Sequence, residues 1–378
     1  FCARKNYFMI IPDNLPTVMH GVQLIGHGGF DQLVYREDLP VPLPDVGDVL
    51  IQVTAAGVNN TDINTRIGWY SKSVTMDTET GGADGFKMVD DEDASWTGVP
   101  LKFPRIQGAD VCGRIIGVGA GVDPSRIGER VLVQTMQPMR EASQITCVTM
   151  GSEYDGGFAQ YAVARSEYTF AVKCDWSDAE LATIPCAYST AENMLQRGQV
   201  GVETILVTGA SGGVGSAAIQ LAKRRGAQVI ALASHNKHQE VIALGADQVL
   251  DRNADITAEL KTESVDVVID LVAGTSWPRL LEVLKRGGRY ITAGAIAGPI
   301  VELDVRTLYL KDLTLFGATY QDDKIFPCLI SYIESGEIRP ILAATYELAD
   351  ITRAQEDFLA KEFTGKLVLL PPKSGDMV

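Results

Sequence analysis

Residues 203–234 read ETILVTGASGGVGSAAIQLAKRRGAQVIALAS, and the fold follows from this stretch. An apolar run, TILV, leads into a turn of small residues, then into an amphipathic segment with helical spacing, then into a second apolar run, QVIALA. Strand, glycine turn, helix and strand in that order form a unit that parallel sheets are built from. The turn has the register A-x-G-x-x-G at Ala210, Gly212 and Gly215, with Ser211, Gly213 and Val214 between them. Glycines here let backbone N–H groups approach a pyrophosphate at the helix N-terminus, where the helix dipole favours negative charge. Residues Ala210, Ser211, Gly212, Gly213, Val214 and Gly215 are therefore candidates for binding a dinucleotide.

Working outward, further apolar strands follow at DQVL, DVVIDLV, RYITAGA and LTLFGA, most of them separated by helical patterns. Such alternation predicts a doubly wound parallel sheet over 178–321. Gly294 and Ala295, which close the RYITAGA run, join the cofactor-binding candidates. Residues 19–177 differ: short alternating runs such as DVLIQVTAAGV and ERVLVQTM, punctuated by Gly, Pro and Asp, predict a β-barrel. The tail, 322–378, reads as helix, extended run, helix and final strand (GKLVLLP), and is expected to return to the barrel. Residues 1–18 read as an extension. The fold class is α/β, with a barrel domain interrupted by a nucleotide-binding domain.

Composition narrows the function. The chain of 378 residues carries 33 basic and 48 acidic side chains, a net charge of -15, which gives no grip on nucleic acid or an anionic membrane surface. Thr204 to Ala222 is uncharged over the length of a membrane span, but its glycines and hydroxyls mark a turn between buried elements. The six cysteines form no C-x-x-C pair, which excludes a four-cysteine zinc lobe and suggests reduced thiols in a cytoplasmic protein. The four histidines form no H-E-x-x-H. Between Ser71 and Leu101 lies an acidic stretch with Asp90, Asp91, Glu92 and Asp93 in a row, which reads as a solvated loop.

The end of the second strand bears on cofactor choice. An acid about 20 residues beyond the glycines would bind the ribose 2′-hydroxyl of NAD. Here the strand ends in Ser234-His235-Asn236-Lys237. Ser234 and Lys237, with Arg252 after the third strand, suit a 2′-phosphate, so NADP(H) is expected; the plainer reading of both cations is ordinary surface charge. His235 and His238 are three apart, a spacing that also suits a metal, although beside an adenosine site none is expected.

Taken together, AAGVNNTDINTRIGWY (Ala55 to Tyr70), IQGADVCGRIIGVGAGV, GGFAQYAV, ASGGVG, ALGADQVLD and GKLVLLP resemble the medium-chain dehydrogenase/reductase superfamily. Zinc alcohol dehydrogenases and zinc-free quinone oxidoreductases both belong to it. The resemblance implies a GroES-like catalytic barrel and a Rossmann domain. Where zinc members place Cys and His ligands, this chain has Asn59 and Ala109; only Cys186 keeps a ligand type, and it reads as a pocket-wall residue. No catalytic metal is expected. The zinc-free pattern N-x-x-D-x-x-x-R-x-G-x-Y is matched by Asn59, Asp62, Arg66, Gly68 and Tyr70.

By that resemblance Tyr70 is a proton donor or substrate hydrogen-bond partner, or else an aromatic packed on the cofactor. Asn59 and Thr61 are further donors, and Asp62 is an orienting group paired with Arg66. The expected activity is NADPH-dependent hydride transfer to a small-molecule quinone or α,β-unsaturated carbonyl, whose developing charge donors can stabilise. Two alternatives are a zinc alcohol dehydrogenase and a non-catalytic NADPH-binding protein. The insertion after Tyr70 is expected to shape the substrate pocket. A homodimer is expected through VELDVRTLYLKDLTLFGA (301–318).

Overall fold

The computed structural model describes residues 8–139 and 146–373. Six strands form one parallel sheet: β1 (Thr204–Val207), β2 (Gln228–Ala233), β3 (Gln248–Asp251), β4 (Val265–Asp270), β5 (Leu284–Thr292) and β6 (Thr314–Gly317). Their spatial order is β3-β2-β1-β4-β5-β6, every neighbouring pair parallel. The chain order reverses between β1 and β4, which opens a crevice at the carboxyl ends of the strands, where doubly wound sheets take their ligands. Ile205, Leu206, Val207, Val267, Val268 and Ile269 are fully buried, because helices cover both faces and a strand enclosed on both sides reads as an unbroken apolar run.

The other unit is mainly antiparallel. Asp48–Gly57 pairs with Cys112–Val118 on one side and with Lys366–Leu370 on the other, and Tyr161–Arg165 pairs along its first half. Leu342–Glu347 runs parallel to Lys366–Leu370, so the last two strands of the chain complete the sheet begun by residues 48–57. A three-stranded sheet, ordered Leu33–Pro40, Val18–Leu24, Arg105–Ile106, packs beside it. Three apolar cores result among the described residues, one of them on the face of the parallel sheet that carries Leu206, Val268, Trp277 and Tyr290. Another lies inside the barrel around Leu50, Ile51, Ile115 and Phe158, and the third lies under the Pro185–Arg197 and Gly213–Arg224 helices.

The units meet at the glycine turn. Gly212 forms an isolated β-bridge with Gly365, and the Gly365 N–H donates to the Ser211 carbonyl at 3.0 Å. The final strand of the chain therefore starts directly beside the start of the Gly213–Arg224 helix.

The acidic insertion departs from a solvated loop. Asp90, Asp91 and Glu92 do face solvent, yet Ala94, Ser95, Val74 and Thr78 are buried. A short helix, Thr78–Gly81, is capped by Asp77, and the Thr78 N–H reaches across to the Ile296 carbonyl of the nucleotide-binding unit at 3.2 Å. The acidic run is one solvated edge of a packed segment, which composition alone could not distinguish from a loose loop.

Candidate active site

The nucleotide cradle is built by close approach. Gly209 has φ +57°, which starts the turn, and Gly212 caps the Gly213–Arg224 helix in extended conformation. A Cβ on Gly215 would lie 2.3 Å from the Gly209 carbonyl oxygen, so only glycine lets the helix pack this tightly on the turn. A Cβ on Gly212 would meet only the Gly209 oxygen, at 3.4 Å, which leaves the outer side of the turn open. Ala210 is buried beneath the turn, while Ser211, Gly213 and Val214 are half-buried around it. Gly294 and Ala295 follow the carboxyl end of β5, held by the Thr292 hydroxyl donating to the Gly294 carbonyl at 3.0 Å. These residues fit a dinucleotide.

At the end of β2 the predicted cations diverge. Lys237 is buried and its ammonium donates to the carbonyls of Lys361 (2.6 Å) and Phe363 (2.7 Å), so it is spent on the tail of the chain. This corrects its assignment to a 2′-phosphate. Burial, with Arg252 nearby, lowers its pKa. Ser234 is half-buried at the start of the next turn, and Arg252 is exposed. The parallel register sets Ala233 beside Asp251, and one ligand atom each from His235, His238 and Asp251 lies within 4.8 Å of the others. Spacing alone showed the two histidines, and the fold adds the carboxylate.

On the barrel side, Asn59 caps the Asn60–Arg66 helix. Its backbone N–H donates to Asp62 Oδ2 at 2.8 Å, and its side-chain amide donates to Asp110 Oδ2 at 2.8 Å and to the Gly57 carbonyl at 3.3 Å. Lys366 completes the cluster: its ammonium donates to Asn59 Oδ1 and to Asp110 Oδ2, the latter at 2.8 Å. The other Asp110 oxygen accepts the Cys186 N–H at 2.6 Å. Asn59, Asp110 and Lys366 are all buried, and a Cβ on Gly213 would sit 2.6 Å from Lys366 Cδ. The lysine stem thus runs under the nucleotide turn into the site. Lys366 was visible only as part of a terminal strand motif, since no local pattern marks a strand lysine as buried.

Asp62 and Arg66 do not pair, contrary to expectation. Asp62 accepts N–H bonds from Asn59 and from Gly108 (3.3 Å), while Arg66 donates to Gln355 Oε1 and to the carbonyls of Gly28 and Gly82 and stacks on Phe30. Residues four apart share a helix face, yet here Arg66 turns toward the insertion and the tail. Burial pushes the Asp62 pKa up to about 7, against the lowering effect of its N–H bonds and of Lys366. Burial also lowers the Arg66 pKa, to about 10.

Tyr70 lies half-buried with its hydroxyl donating to Thr61 Oγ1 at 3.2 Å. The same oxygen accepts the indole N–H of Trp96 at 2.7 Å, and the Trp96 and Tyr70 rings are 5.3 Å apart at 48°. Trp96 comes from the insertion and was not singled out in the sequence, where it sits beside the acidic run. Burial raises the phenol pKa, and Cys186 and Asp62 are close enough to add to the effect. Burial raises the Cys186 thiol to about 12 as well, which suits a wall residue better than a thiolate.

The residues at the zinc position do not fit a zinc ion. Asn59 and Ala109 offer no ligand, and the Asp110 carboxylate is already paired with an ammonium, which leaves Cys186 as a single ligand where about three are needed.

Residues 45–174 match the family "Alcohol dehydrogenase GroES-like domain", and residues 213–335 match "Zinc-binding dehydrogenase". A solved structure from Sinorhizobium meliloti 1021, provisionally described as an alcohol dehydrogenase, shares 44% identity and a TM-score of 0.84, covering 95% of this chain and 98% of its own. The quinone oxidoreductase of Lama guanicoe is 29% identical over 368 residues, covering 93% of this chain and 98% of its own length. The acryloyl-coenzyme A reductase of Metallosphaera sedula is 28% identical over 340 residues, covering 87% and 93%. The paired barrel and parallel sheet, the glycine cradle and these similarities agree: the chain belongs to the medium-chain dehydrogenase/reductase superfamily.

Proposed function

We propose that this protein is an NADPH-dependent reductase of quinones or α,β-unsaturated carbonyl compounds that works without a catalytic metal. The observation that carries this reading is the Asn59–Asp110–Lys366 cluster, which puts a buried ammonium and its partners where a metal-dependent relative would hold its ion. Without a Lewis acid, a conjugated acceptor is favoured, because its charge spreads onto an oxygen that hydrogen-bond donors can stabilise. The names of the relatives, a quinone oxidoreductase and an acryloyl-coenzyme A reductase, support the same acceptor class.

The cofactor supplies the hydride; the chain supplies position and electrostatics. The turn from Ala210 to Gly215 would hold the pyrophosphate, with Gly294 and Ala295 along the nicotinamide end. Ser234 and Arg252, with no carboxylate at the end of β2 and the next acid only at Glu240, support a 2′-phosphate. Thr61, Tyr70 and Trp96 line the acceptor side. The free thiols Cys112, Cys147, Cys174, Cys186 and Cys328, together with NADPH as reductant, suit the cytoplasm. The β6 edge supports a homodimer.

A screen of quinones, enones, enoyl thioesters and alcohols with NADPH and NADH tests this reading. Oxidation of NADPH by a conjugated acceptor is expected, with no loss to chelators. Alcohol oxidation with bound zinc in elemental analysis would replace it with a zinc dehydrogenase. Tight NADPH binding with no turnover would replace it with a non-catalytic binding protein, and a strong NADH preference would overturn the role of Ser234 and Arg252.

A further inference from the structure

Thr61 Oγ1 receives two hydrogen bonds, from the Trp96 indole N–H at 2.7 Å and from the Tyr70 hydroxyl at 3.2 Å. A hydroxyl has two lone pairs and one proton. With both lone pairs occupied, the oxygen can serve an incoming ligand only through its O–H, and among the described residues no acceptor takes that proton. The other two candidate donors are committed: both N–H bonds of the Asn59 amide go to Asp110 and Gly57, and the Tyr70 proton goes to Thr61 itself. Tyr70 is also a weaker acid than a free phenol because of its burial.

We infer that Trp96, contributed by the insertion, is a positioning residue that fixes the Thr61 hydroxyl as the outgoing hydrogen-bond donor to the carbonyl oxygen of a bound conjugated substrate. The inference rests on the acceptor class proposed above. The insertion is held for this task at several points. Thr78 donates to Asn64 Oδ1 at 3.1 Å, the Thr78 N–H reaches Ile296, and Val89 lies so close to Gly68 that a Cβ there would be 2.5 Å from its methyl. These contacts hold the insertion against the Asn60–Arg66 helix and the nucleotide-binding unit, so the distance from Trp96 to Thr61 is set by packing. An indole N–H offers one donor and no acceptor, so it holds the Thr61 oxygen without taking the Thr61 proton. The two rings form an apolar wall beside that donor, which suits a flat conjugated acceptor.

The probe is 4-(dimethylamino)cinnamaldehyde, whose absorption moves to the red when its oxygen accepts a hydrogen bond, added to the protein saturated with NADP+ so that no turnover occurs. Equilibrium dialysis reports whether it binds. Wild type and Thr61→Ser are expected to bind it with a red shift, Thr61→Val to bind it with the shift abolished, and Trp96→Phe to bind it with a smaller shift. With an acceptor that turns over, Trp96→Phe is expected to lower kcat about tenfold with KM little changed, the loss of roughly one hydrogen bond at the transition state. A bound but unshifted probe in wild type, or an undiminished shift in Thr61→Val, overturns the inference and leaves the proposed activity standing. A change confined to KM in Trp96→Phe also overturns it, since a mere wall would act that way. A shifted probe with no NADPH oxidation by any quinone or enone supports the inference and overturns the activity. A probe that does not bind overturns the inference, while NADPH oxidation by quinones and enones decides the activity by itself.

Discussion

Lys366 brings a cation into a place with almost no water, and its surroundings determine what its removal does. Its side chain and that of Asp110 are 5% and 0% exposed, with 2.8 Å between Nζ and Oδ2. Breaking such a pair leaves an uncompensated buried charge, at a cost of about 3–5 kcal/mol. Lys366→Met is therefore expected to lower unfolding stability by that amount in urea titrations, and Lys366→Met with Asp110→Asn to recover part of it. Asp62 makes a second prediction at this scale. Its folded pKa is raised from 3.8 to about 7 by burial, so between those values the folded state holds a proton that the unfolded state has lost. The stability from this group is fully present below about pH 4 and is lost as pH rises through about 7, a change on the order of 4 kcal/mol. Urea titrations at pH 5 and pH 8 are expected to show a smaller difference for Asp62→Asn than for wild type.

Among elements, the glycine turn and the insertion differ in how openly they announce themselves. The turn follows local rules: a positive φ at Gly209 and a helix start that must touch backbone. Gly215→Ala would force a Cβ to 2.3 Å from a carbonyl oxygen that has no room to move, so it is expected to weaken NADPH binding more than tenfold, measurable by calorimetry. The insertion follows no local rule. Its acids mark it as solvated, and its apolar members are too scattered to give a period. Only contact with Gly68, Asn64 and Ile296 makes it part of the site. The same limit applies to Asp62 and Arg66, for which the family resemblance implied a pair that packing of Arg66 against Gln355 and Gly82 prevents.

For the whole molecule, the parallel sheet ends in β6, whose outer edge has no strand partner among the described residues. Next to it Val305, Tyr309 and Leu310 are 59%, 59% and 57% exposed. An unpaired edge beside apolar side chains invites a second copy, and a two-fold axis would join the sheets edge to edge. Light scattering is expected to give a dimer for the wild type and a monomer for Tyr309→Asp with Leu310→Asp, with the near-ultraviolet spectrum of each subunit retained. A monomeric wild type would overturn the homodimer.

The chain's α/β class, its nucleotide turn and the missing metal ligands at Asn59 and Ala109 were all legible in order and spacing, because each depends on neighbours within a few residues or on a single side chain's chemistry. Tertiary structure alone decided which cation lies in the site, which cation is spent elsewhere, and which aromatic reaches Thr61. Lys366 lies 307 residues from Asn59, Lys237 turns to carbonyls more than 120 residues away, and Trp96 is 35 residues from its acceptor. Hydrogen bonds of that range are set by how sheets and helices pack, and packing leaves no periodic trace along the chain.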